Sequence, residues 1–124
     1  MEPNNPWGTF LDIKYAALEP FDIADLVAAN RRPWYNQTLV RVNDCVVRLG
    51  VVQGEYVWHH HDEEDEAFYV VTGKLLVDIA RQGTFELTSG QGVSVPAGVE
   101  HRTRADEKTV ILMVEGAGVV PTGD

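Results

Sequence analysis

A single cysteine, Cys45, stands among 124 residues, so no internal disulfide can staple this fold, and a reducing compartment is expected. With no basic partner identifiable from spacing, Cys45 reads as a small hydrophobe on a strand. Positive charge is also scarce: 10 Lys and Arg face 19 Asp and Glu, a net charge of −9. Such a field repels phosphate backbones and anionic lipid, which argues against nucleic acid and membrane surfaces as partners. No apolar run approaches the roughly 20 residues of a membrane-spanning helix. The opening MEPNNPWGTF has no basic stretch leading into an apolar one, so no secretory signal is expected and the cytoplasm is the default location. Repeats, heptads and low-complexity tracts are missing too.

What is present is an apolar share of 44% and 11 glycines, most of them punctuating short apolar runs. That pattern favours turn-rich β structure within one domain. The expected division is an N-terminal arm and helix over 1–36, a barrel over 37–115 and a tail over 116–124. The first 20 residues, with Pro3, Pro6, Pro20 and scattered Trp7, Phe10 and Tyr15, are expected to drape over the domain or pair with a sheet edge. Phe21 to Asn30 is the one helix the sequence predicts. Asp22 can cap it, Ile23, Leu26 and Val27 share a face, and Asn30 can end it. Strands are expected over Thr38–Val42, Cys45–Val52, Tyr56–His61, Glu66–Thr72, Leu75–Ala80, Thr84–Thr88, Val93–Val95 and Thr109–Val114. Many short strands with regular turn signals mean an all-β sandwich or barrel.

The chemistry lies with the four histidines. On a strand, side chains alternate, so His59 and His61 share a face and His60 points away. Two imidazoles at i and i+2 form a ready chelate for a divalent ion. Glu66 follows the acidic stretch Asp62–Asp65, enough chain to turn and bring a carboxylate beside the pair. His101 follows Pro96-Ala97-Gly98, a turn that can re-aim the chain. Imidazole nitrogens with a carboxylate oxygen suit iron, manganese, nickel, cobalt, copper or zinc alike, so the expected cofactor is one divalent transition metal.

These residues carry a resemblance. Gly54, the His59-His60-His61 triplet, Glu66 and then Gly73 resemble the first cupin motif; Gly90, Pro96, Gly98 and His101 resemble the second. Two features depart from the pattern. Four residues instead of five separate Gly54 from His59, and Ala105 stands where the second motif often ends in Asn. Resemblance to small single-domain cupins implies a double-stranded β-helix, or jelly roll, with one short N-terminal helix. It also implies one metal held by His59, His61, Glu66 and His101 near one mouth of the barrel.

Three histidines and a glutamate leave two positions of an octahedral ion open, which marks a site that meets a small molecule. Two functions follow. One is a metalloenzyme acting on a small polar molecule by dioxygenase or sugar/keto-acid isomerase chemistry; the other is a non-catalytic binding or sensor module whose metal anchors a ligand. No catalytic acid or base beyond the ligands stands out. Strand parity puts Val57, Phe68 and Val70 in the pocket lining, while Arg41, Arg48, Arg102 and Arg104 are the cationic candidates for holding a carboxylate or phosphate. Tyr56, Trp58, Ala67, Tyr69 and Val71 would make the opposite face apolar as well. A face of that kind is usually covered, and a homodimer is expected.

Overall fold

The computed structural model describes residues 5–124; Pro3 falls outside them. The element order is β1 (Thr9–Phe10), α1 (Ile23–Ala29), β2 (Tyr35–Val42), β3 (Cys45–Glu55), β4 (Glu66–Thr72), β5 (Lys74–Ile79), β6 (Gly83–Thr88), β7 (Gly92–Val95) and β8 (His101–Gly116). The fold is the jelly-roll double-stranded β-helix with one short helix. Sheet order runs β1-β2-β3-β8-β4-β7, and β5 joins both β6 and β8.

The architecture hangs on β8. Its first residues, His101–Arg104, pair with β5, and its later ones, Val110–Glu115, pair with β4, while β3 runs beside it from Cys45 to Glu55. Arg102-Thr103-Arg104-Ala105-Asp106-Glu107-Lys108 is too charged to read as a strand, so the sequence predicts only Thr109–Val114 there. The structure extends the strand to both sides because two partner strands, β5 and the end of β3, supply hydrogen bonds that composition does not reveal.

The reverse happens at Tyr56–His61, expected as a strand. Regular pairing of β3 shifts between Val52 and Gly54 and stops at Glu55, where Gly54 takes φ +104°. Beyond it the chain touches β8 at separate points: Tyr56 N–H donates to Thr103 O at 2.9 Å, and His59 exchanges two 2.9 Å bonds with His101.

Two apolar clusters hold the layers apart. The barrel interior contains Phe68, Val70, Leu75, Val77, Val95, Ile111 and Met113, closed at one end by Trp34 with Trp7 and Tyr56. Ala105 belongs to this interior, so the residue found where the motif often has Asn packs as core. Outside the sheet, Leu39, Leu49, Val51 and Val110 meet Ile23, Leu26 and Val27 of α1. Asp22 caps that helix by accepting from Asp25 N–H at 3.1 Å. The N-terminal arm pairs with the sheet edge, Thr9 against Asn36 in parallel. Among the described residues no helix is long and apolar enough to cross a membrane.

One polar cluster braces the segment that follows β3. Asp78 on β5 accepts from Arg102 Nε at 3.0 Å and Arg104 Nε at 2.7 Å, and Arg102 also reaches Glu55 and lies 4.9 Å over the Trp58 ring. Hydrogen bonds from Arg104, then Thr84 and Arg102, outweigh burial and hold the Asp78 carboxyl well below the usual range. A depressed carboxyl stabilises above its ordinary value, and the contribution is lost as pH falls through the folded one. Asp78→Asn is expected to cost about 1–3 kcal/mol at neutral pH. In urea titrations the gap from the parent should narrow in acid; a gap independent of pH would refute the charge argument.

Candidate metal centre

Each of the four candidate ligands is fixed by a different local device. Glu66 opens β4 and His101 opens β8, so both sit where a strand enters the barrel. His59 is tied to His101 by the paired backbone bonds, and His61 O accepts from Gly98 N–H at 2.8 Å, which docks the triplet onto the Pro96–Gly98 turn. Asp65 Oδ1 fastens the same turn through Ala97 N–H at 2.9 Å. The acidic run therefore contributes one turn clamp and one inward carboxylate, Glu66, while Asp62 pairs with His60 at the surface, 3.0 Å away.

The result is a compact donor set. One nitrogen from each of His59, His61 and His101 and one Glu66 oxygen lie within 4.8 Å of one another, all buried. His101 is 1% exposed and His61 3%. His59 Nδ1 donates to Val57 O and His101 Nδ1 to Val99 O, both at 2.9 Å. Those bonds hold each ring by its Nδ1 and leave Nε2 as the nitrogen to meet an ion, the usual outer support of a metal-bound imidazole.

Charge favours the same occupant. Burial would raise the Glu66 carboxyl, but hydrogen bonds from His101 and His61 overcome it and bring it to about 2. Burial pushes His59 down and so keeps it an unprotonated donor. On His101 burial acts downward too, but the hydrogen bond to Glu66 outweighs it and raises the imidazole. With a bound cation in place of that shared proton, both partners become ligands. An ionised carboxylate facing three convergent imidazoles is a donor set that fits a divalent metal.

Beside this cluster lies a cavity of about 30 Å³, with His59 and Glu66 in its wall. Trp34, Val52, Phe68 and Met113 form its apolar side; Asn36, Tyr56, Thr103 and Glu115 form the polar side. Pro121 of the C-terminal tail completes the lining. The tail is held there by Asp124, whose N–H donates to His60 O at 3.0 Å and whose Oδ2 accepts from Asp62 N–H at 2.6 Å.

Of the residues that parity assigned to the lining, Phe68 is in this wall and Val57 and Val70 are not. Val57 is 37% exposed, because the strand whose alternation would have turned it inward stops at Glu55. Val70 does point into the barrel, but two residues farther along β4 it packs in the core beyond the cavity. Tyr56, expected on the far face, turns inward for the reason that sends Val57 out, and stands edge-on to His59 with centroids 5.5 Å apart.

The arginines are engaged elsewhere. Arg102 and Arg104 bind Asp78, Arg41 Nε donates to Asn43 O at 2.7 Å, and Arg48 is 2% exposed with Nε 3.0 Å from Glu115 Oε1.

Glu115 is the functional neighbour that sequence reasoning missed. It lies opposite Glu66 across the β4–β8 ladder. Burial first, then the Glu66 charge, raise its carboxyl to about 9, so it keeps a proton and Glu66 keeps the charge. A lone Glu closing the run Val110–Val114, like Arg48 inside the apolar run of β3, was the available signal: charges within apolar strands are rarely solvent-facing decoration. A carboxyl raised above its ordinary 4.5 stabilises fully below that value and loses the contribution as pH rises through about 9. Glu115→Gln mimics the protonated form at every pH. Metal-free parent should therefore lose stability relative to the variant as pH climbs across that window, read from denaturation midpoints; parallel profiles would refute it.

Comparison with known proteins agrees with this fold. The family model described as "Cupin domain" matches residues 45–115. The uncharacterized protein YdbB of Bacillus subtilis (strain 168) is 45% identical over 80 residues, covering 64% of this chain and 71% of that protein. An acireductone dioxygenase of Bacillus velezensis is 27% identical over 118 residues, 89% of this chain and 66% of that one. A cupin-2 domain containing protein from Shewanella frigidimarina NCIMB 400 superposes with a TM-score of 0.73 at 31% identity, covering 77% of this chain and 93% of that one.

Proposed function

This chain belongs to the cupin domain family, and on that premise we propose that it is a metalloenzyme acting on a small polar molecule. His59, His61, Glu66 and His101 would hold one divalent transition metal, whose part is to polarise a bound oxygen ligand or to handle dioxygen. The observation that carries the reading is the cavity wall shared by His59 and Glu66, which places a binding space against the donor set instead of sealing it, as a purely structural metal site would be sealed.

The chain's own residues supply the rest. Apolar Trp34, Phe68 and Met113 exclude water and lower the local dielectric, which strengthens every polar contact inside. Glu115, opposite Glu66 across the ladder and protonated, leaves the negative charge on that carboxylate. Between oxygenation and isomerisation, the resemblance to an acireductone dioxygenase along 89% of this chain favours oxygenation.

The decisive experiment is elemental analysis of protein purified without chelators, paired with oxygen-uptake screening against small acids and phenols. Iron near one per chain together with substrate-dependent uptake supports an oxygenase. Less than a tenth of an equivalent of any transition metal, even after reconstitution, refutes the whole reading.

A second copy is the proposed cover for the outer sheet face. Tyr69 on β4 and Val114 on β8 are 47% and 42% exposed there. A monomeric mass in native spectrometry would argue against it.

A further inference from the structure

We propose that the cavity beside the metal cluster is a subsite for a small, unphosphorylated organic ligand with oxygens on adjacent atoms, such as a vicinal diol or an α-hydroxycarbonyl compound. The Asn36 amide and the Tyr56 hydroxyl read the oxygen farther from the ion. This rests on the metal-binding reading and specifies what the ion meets.

The first observation is a pair of buried polar atoms without partners. Asn36 is 8% exposed, and its Oδ1 makes no hydrogen bond; the Tyr56 hydroxyl is equally shut away and unpaired. Folded proteins leave few such groups, and those they leave call for an explanation. The two arise from separate parts of the chain, β2 and the segment after β3, yet both line the wall that contains His59 and Glu66. An amide and a phenol can each donate or accept, so together they suit a hydroxyl or carbonyl oxygen.

The second observation concerns charge. Among the described residues no Lys or Arg lines this cavity, whereas the carboxyl groups of Glu66 and Glu115 do. Arg48, the nearest buried cation by register, is committed to Glu115. A phosphate group would therefore face two carboxyl groups and no cationic side chain. This separates the ligand from the phosphorylated substrates that the arginines, read from sequence alone, would have suited.

The third is size. A cavity of about 30 Å³ holds one or two waters, so the two oxygens must be close together. Gly50 keeps the space open: a Cβ there would come within 2.8 Å of Ile111 Cγ1 and 3.1 Å of Met113 Cε. Met113 is the flexible part of the wall and gives way to the ligand's carbon side.

The test uses the chain loaded with Co(II), whose visible absorption reports ligands entering the metal's shell. The probes are acetohydroxamic acid, which carries oxygens on adjacent atoms, and inorganic phosphate. Hydroxamate is expected to shift the spectrum saturably, and to bind about tenfold more weakly to Tyr56→Phe and to Asn36→Ala. Cobalt content and the probe-free spectrum should stay unchanged in both, which a merely structural role would not guarantee. Phosphate should bind the parent more weakly than hydroxamate does. Equal hydroxamate affinity in parent and Tyr56→Phe overturns the proposal, as does tighter phosphate binding or no hydroxamate response. Should Asn36→Ala fail to fold, the near-isosteric Tyr56→Phe decides alone. A parent that takes up no cobalt overturns the metal reading and this one together, whereas a cobalt-loaded parent indifferent to Tyr56 overturns this one only.

Discussion

His101→Ala is expected to weaken metal binding by more than about 100-fold while the barrel stays folded. Loss of an outer support to a metal ligand already costs on the order of 10–100-fold, and removal of a ligand costs more. His101 is the deepest of the four and the one whose side chain is fastened both to Val99 O and to Glu66. Truncation also takes a hydrogen-bond donor from Glu66, whose carboxyl then rises toward neutral and becomes a poorer ligand. The backbone bonds between positions 59 and 101 do not involve the ring and should survive. Competition against a chelator of known affinity measures the loss, and circular dichroism checks the fold. Parent-like affinity in the variant would remove His101 from the site.

Arg48→Met is expected to destabilise the chain by about 1–3 kcal/mol, the range for leaving a buried polar group without its partner. Arg48 is the cation set beside Glu115, and through it faces the Glu66 charge. Both members are almost completely shielded, so water cannot replace what is removed. The pair is not ideal: Arg48 Nη1 and Glu115 Oε2 lack hydrogen-bond partners. Hence Arg48→Met combined with Glu115→Leu should recover much of the loss, because an apolar pair of similar volume leaves no buried polar group unpaired. Urea denaturation of the metal-free forms gives the comparison. A single variant within about 0.5 kcal/mol of the parent, the range of an ordinary surface change, would mean the charge is solvated.

The contrast between these two residues shows what the sequence could convey. His59, His61 and His101 were legible because imidazoles are rare and their spacing falls between glycine and proline turns that structure requires. Gly73 is one such position: at φ +97°, any Cβ would sit 2.9 Å from Thr109 Cα. Glu66 was legible by spacing alone, since four other acidic residues adjoin it. Arg48, Glu115, Asn36 and Tyr56 were not, because what makes them part of the site is cross-strand register and the end of β3, both set by chain segments far apart in sequence. Val57 shows the cost of extending parity past a strand's last hydrogen bond. Two residues of irregular backbone were enough to exchange it with Tyr56 between surface and interior. The helix, by contrast, followed from a local signal, a capping Asp and three apolar residues on one face.

Strand β8 begins with a candidate ligand, His101, and carries near its end Glu115, which lies opposite another ligand, Glu66. A slip of one residue against its neighbours would turn both side chains to the outer face at once. Correct threading of that strand is thus reported by metal affinity itself. The donor set closes only after segments separated by more than thirty residues, such as those of Glu66 and His101, have met. Ion capture should accordingly be a late event in folding, and a partly assembled chain should hold its metal hardly better than an unstructured one.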